Sequence, residues 1–170
     1  MRCFTKDEVS KWISEVGQVE DPHDAASPPE FAVQFYAPQK YSAIECFVRC
    51  FLREVAGDGE VLIVVTDSEP SEESQRYIHE TIRLTTGGKR SVQEAPGYLF
   101  SNLEAERAVA LFSLMSCFMK CYLYGSQHQV TLYSWEGEIF DMWTCSEDRL
   151  KPLAKNFELE EIKEPGEFIR

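Results

Sequence analysis

Four carboxylates, Asp67, Glu69, Glu72 and Glu73, follow directly on the apolar run Val61-Leu62-Ile63-Val64-Val65. Acids gathered beyond the carboxyl end of a sheet strand can hold a magnesium ion through one or two oxygens. The same residues also fit plain helix chemistry. Asp67 or Ser68 would cap the next helix, and Glu72 and Glu73 would complement its dipole. That second reading is preferred, because acids are common in a first helical turn. The alternative keeps a ligand or metal site at Asp67 and Glu69, with His79 nearby, and makes the chain a metal-dependent enzyme or small-ligand-binding protein.

Cysteine spacing offers a second chemistry. Cys46/Cys50 and Cys117/Cys121 each stand four residues apart, one turn of a helix, and four thiolates from two facing helices could bind zinc tetrahedrally. Strong zinc signatures use shorter loop spacings, and cysteine is a common small core residue. Burial beside the core stripe is the expectation, with no metal and no cofactor.

Other motifs fail on context. Thr86-Gly87-Gly88-Lys89-Arg90-Ser91 has the look of a phosphate loop, but its glycines follow a helix and lack the spacing of one, so they read as a helix stop. No Gly-x-Ser-x-Gly elbow, dinucleotide fingerprint, HExxH or EF-hand loop occurs in the chain. His23, His79 and His128 fall in a loop, on a wet helix face and in a turn, with no cysteine partner indicated.

Aromatic residues form the third constellation. Tyr122, Tyr124, Tyr133, Trp135 and Trp143 crowd the last third of the chain. Such rings anchor protein interfaces, since they offer a large contact area and a polar tip. They would equally be core if both faces of the sheet were covered. As an interface they would need exposure beside an acidic rim.

The elements that must position these groups follow from period and caps. Val61 to Val65 is short, β-branched and unalternated, so it reads as a strand covered on both faces. Thr5-Lys6-Asp7-Glu8 is a capping box, with Phe4 and Val9 at the staple positions and Val9, Trp12, Ile13 and Val16 on one face. The proline-rich stretch 18–30 predicts a loop, either mobile or laid across the surface. Phe31 to Tyr36 predicts a strand, and 39–56 a helix with Tyr41, Ile44, Val48, Phe51, Leu52 and Val55 inward. A weaker helix spans 71–85, and 86–100 reads as irregular, with Pro96-Gly97 as a turn. Ser101-Asn102-Leu103-Glu104 opens a greasy helix to about Lys120. Three short strands at 122–124, 130–135 and 138–143 predict an antiparallel meander, and Ser146 caps a final short helix. The tail 158–170 is acidic and is expected to fray.

Together these predict a single α/β domain with an α+β tendency. Its mixed sheet has about five strands, a parallel βαβ unit first and the antiparallel meander second, with helices packed against it. The totals narrow the function. The chain has 170 residues, 44% of them hydrophobic, with net charge −12 and pI about 4.7. So negative a surface disfavours nucleic acid and anionic membrane and suits a basic protein partner. The longest apolar tract, Ala108 to Met119, is too short to span a bilayer. Met1-Arg2-Cys3-Phe4 leads straight into charged residues, so the expected location is cytoplasmic and the six cysteines are expected to be reduced. The expected function is a non-catalytic protein-binding or regulatory module. Its partner and oligomeric state are not written in the sequence.

Overall fold

The computed structural model describes residues 1–66, 73–87, 90–149, 153 and 157. Its strands are β1 (Arg2–Phe4), β2 (Phe31–Tyr36), β3 (Val61–Val65), β4 (Gly97–Phe100), β5 (Cys121–Gly125), β6 (Val130–Trp135) and β7 (Ile139–Thr144). Its helices are α1 (Lys6–Glu15), α2 (Tyr41–Cys50, continued by a π-helical turn Phe51–Ala56), α3 (Glu73–Thr86) and α4 (Ala105–Ser116, led in by a 3₁₀ turn Asn102–Glu104).

Among the described residues, seven strands join one sheet in the order β1-β4-β3-β5-β6-β7-β2, and every neighbouring pair is antiparallel. This corrects the expected parallel βαβ unit and the count of about five strands. Counting directions through the order, β2 and β3 do point the same way, yet β5, β6 and β7 stand between them. The helical crossover of 41–56 therefore passes over a gap that the later meander fills. The fold is α+β.

Two strands were missed for identifiable reasons. β1 is only three residues long, and β4 starts at the glycine read as a turn. Gly97 is there because a Cβ would stand 2.4 Å from Val9 Cγ2 and 3.0 Å from Phe4 Cβ. Close approach of α1 to β4 requires its absence.

Period-2 alternation divides the core. One face of the sheet presents Val61, Ile63, Val65, Tyr98, Phe100, Leu123, Leu132, Phe140 and Met142 to α2, α3 and α4. Phe47 of α2 sits at the centre of that layer, with ring centroids 5.4 Å from Phe35 and 5.6 Å from Phe140. The other face presents Leu62, Leu99, Tyr122, Tyr124, Tyr133 and Trp143 to Val9, Trp12 and Ile13 of α1. β3 is thus covered on both sides, as its composition requires.

Local signals match in detail. Both capping boxes form, Thr5 with Glu8 and Ser101 with Glu104. A third, Ser91 with Glu94, uses the same reciprocal bonds in a stretch read as irregular. Gly87 ends α3 at φ +65°, the left-handed stop expected of it. Among the described residues no helix is long and apolar enough to cross a membrane. The tail 158–170 lies outside the described residues.

Candidate functional site

Alternation along β5, β6 and β7 sets Tyr122, Tyr124, Tyr133, Trp135, Asp141 and Trp143 on one sheet face. The first part of the segment 18–30 crosses this face and is bonded to it through Gln18, Glu20, Asp21 and His23. Gln18 Nε2 donates to the carbonyls of Gly125 at 2.7 Å and His128 at 3.0 Å. The Tyr124 hydroxyl donates to the Glu20 carbonyl. The Tyr122 hydroxyl donates to Asp21 Oδ1 at 2.8 Å. Pro22 is buried and His23 half-buried. Of the two outcomes open for this loop, the structure shows the one in which it lies across the surface.

The rings proposed as interface anchors are consequently interior. Tyr122, Tyr124, Tyr133 and Trp143 are all at most 5% exposed, and only Trp135 is half-exposed. Alternation places them on one face, and α1 with the segment 18–30 removes that face from water. As folded, the tyrosines and Trp143 present no contact surface.

At the centre stands a pair that sequence reasoning did not single out. His23 Nε2 lies 3.4 Å from Asp141 Oδ2, and the Asp141 side chain is 1% exposed. The imidazole meets three rings edge-on, at centroid distances of 4.6 Å to Trp143, 5.1 Å to Tyr133 and 5.3 Å to Trp135. Asp141 accepts from Gln34 Nε2 at 2.7 Å and from Trp135 Nε1. Parity alone could have found it: Asp141 is two residues from Trp143 in a strand, and so shares its buried face.

Burial sets the electrostatics. Desolvation lowers the His23 pKa against the opposing pull of Asp141, Asp21 and Asp24. Desolvation likewise raises the Asp141 pKa, despite hydrogen bonds from Trp135 and Gln34 and the nearby imidazole. Burial pushes the Tyr122 and Tyr124 hydroxyls well above the ordinary tyrosine value, so both stay protonated donors. The pair is one of the contacts between segment and sheet. Its geometry resembles a base with its orienting carboxylate. Ser134 donates to the Ser116 carbonyl, and Cys121 lies in the opposite core layer.

Proton linkage gives a measurable consequence. Because the folded His23 pKa is depressed below 6.5, its contribution is complete above that value and is lost as pH falls through it. Asp141 works the other way: its folded pKa is raised, so its contribution is present at low pH and declines as pH rises above 3.8. Between pH 7.5 and 5.5, lowering the pH is expected to cost the wild type more stability than it costs His23→Gln, as read by melting at each pH. Parallel curves for the two proteins would contradict the assignment.

The remaining candidates divide as follows. Asp67 and Glu69 lie outside the described residues, and His79 is half-buried on α3. Gly88 and Lys89 of the glycine pair also lie outside them. Cys46 is exposed, Cys50 is buried, and Cys117 is intermediate. Cys121 belongs to β5 rather than to a helix, where burial raises its pKa. Among the described residues no group of three or more His, Cys, Asp or Glu could hold a metal ion.

Comparison with protein-family models, curated proteins and solved structures returned no match. The functional reading therefore rests on the residues of the chain itself.

Proposed function

We propose that this chain is a non-catalytic protein-binding or regulatory module for a basic protein partner. The observation that supports it is charge: 29 acidic against 17 Lys and Arg residues, net −12. Many of these acids stand on the described surface, among them Asp7, Glu15, Glu20, Asp24, Glu30, Glu54, Asp58, Glu136 and Glu138. A field of one sign steers an oppositely charged partner and speeds encounter, an effect that salt screens. Among the described residues, the His23–Asp141 pair joins the segment 18–30 to the sheet, a structural task that fits this reading.

The test is reconstitution from purified components. A basic protein recovered with the tagged chain from its native host is purified and titrated against it. Binding that weakens steeply between low and physiological salt is the expected result. A purified pair that does not associate at low salt would overturn the reading.

A further inference from the structure

The two margins of the sheet are built differently. β1 is three residues long and carries Arg2, the short charged kind of edge that discourages pairing. β2 closes the other margin with six residues, Phe31-Ala32-Val33-Gln34-Phe35-Tyr36, and contains no charge, proline or glycine. Among the described residues it pairs only with β7, and its register runs without a bulge from Phe31↔Thr144 to Tyr36↔Ile139. Nothing in that strand blunts it.

Its hydrogen-bonding phase can be read off. The Ala37 amide donates to the Glu138 carbonyl at 2.9 Å. Residues two apart share a direction, so Phe31, Val33 and Phe35 exchange their bonds with β7. Ala32, Gln34 and Tyr36 aim their amides and carbonyls outward. Among the described residues no backbone hydrogen bond meets those outward groups. Ala32 is exposed, and Tyr36 is 53% exposed.

Charge indicates what fits. The segment 18–30 leading into β2 has four acids, Glu20, Asp21, Asp24 and Glu30, and no lysine or arginine. Glu138, exposed, stands across from the far end of the strand. Lys40 beyond that end offsets only part of this negative frame. A second copy would bring the same acids against themselves. From the phase of the ladder and this framing, we propose that the open edge of β2 is the docking surface, and that its occupant is an extended basic segment of another protein, added as an eighth strand. Main-chain bonds to residues 32, 34 and 36 supply the attachment, and lysine or arginine flanking it meets Asp24, Glu30 and Glu138. The proposal rests on the protein-binding reading above and deepens it.

The probe is an acetylated, amidated peptide of alternating lysine and valine. Its control carries N-methyl groups on alternate amides, which keeps the charge and removes the ladder. On binding the first peptide, hydrogen exchange should slow at Ala32, Gln34 and Tyr36 and change little at Val33 and Phe35. The methylated control should bind at least about tenfold more weakly. Ala32→Pro removes an outward donor without touching a bond to β7, and should cause a comparable loss while thermal unfolding stays cooperative. Tyr36→Glu, which keeps every backbone group, should still bind.

Equal binding of both peptides would overturn the edge proposal and leave the acidic-partner reading standing. Failure of both peptides would overturn the edge proposal alone, since the purified-partner titration judges the broader reading. Self-association that Ala32→Pro abolishes would show that a second copy takes the edge, and would overturn the basic segment as its occupant.

Discussion

Trp143→Ala is expected to lower the free energy of unfolding by about 3–5 kcal/mol, the range for truncating a large buried aromatic. Trp143 is 2% exposed and belongs to the core layer of Trp12, Leu62, Tyr124 and Tyr133. Its ring is also the nearest of the three around His23, at 4.6 Å. The loss therefore combines a cavity in that layer with a looser seat for the segment 18–30. Guanidinium unfolding should show a lower midpoint with an unchanged slope. Trp135→Ala is the internal comparison: Trp135 is half-exposed, so its cost should be clearly smaller. Equal costs would mean that the two rings share one environment, contrary to the burial described.

The second large effect concerns Asp141. Asp141→Ala leaves the Gln34 amide and the Trp135 indole N–H without their acceptor. An orphaned buried donor costs about 1–3 kcal/mol, and these two are only partly buried, so a total on the order of 2 kcal/mol is expected. Asp141→Asn retains one acceptor oxygen and should lose about half of that. Combining Asp141→Ala with Gln34→Ala removes one orphan together with its partner. The double variant should therefore be more stable than the sum of the two single losses predicts. Additive losses would mean that the 2.7 Å contact contributes nothing. The geometry favours coupling, because Gln34 and Asp141 are directly opposed in register.

These two variants also separate interior from surface. Neither Trp143 nor the Asp141 carboxylate reaches solvent, so partner binding in stable double-checked preparations should follow the integrity of the fold. Residues on the β2 edge should behave in the opposite way, with small effects on stability and large ones on association. Ala32 and Trp143 sit opposite each other in register and make the contrast local.

Much of the local structure was legible because it depends on neighbours in sequence. The capping boxes at Thr5 and Ser101 need only a hydroxyl and a glutamate three residues on. The meander needs only short alternating runs joined by tight turns, and Glu136-Gly137 supplies the positive φ pair, 52° and 80°. The coverage of β3 on both faces followed from five apolar residues in a row.

Partner choice among strands was another matter. A doubly buried strand suggested a parallel neighbour, since helices usually cover both faces of parallel sheets. Here an antiparallel sheet meets the same requirement with α2, α3 and α4 on one side and α1 with the segment 18–30 on the other. Burial of Val61 to Val65 is identical in the two cases, so its composition could not separate them. The aromatic set raised the same difficulty. Alternation placed Tyr122, Tyr133 and Trp143 on one face, but whether water or protein met that face depended on a loop about a hundred residues earlier in the chain.

Taken alone, the chain determined the capped helix starts at Thr5 and Ser101, the antiparallel meander, its acidic composition and the buried character of β3, because each arises from side chains within a few residues of one another. Only the tertiary structure decided the strand order, the pairing of His23 with Asp141 and the open edge at β2. Those depend on contacts between distant segments, and many sequences with the same local pattern could close them differently.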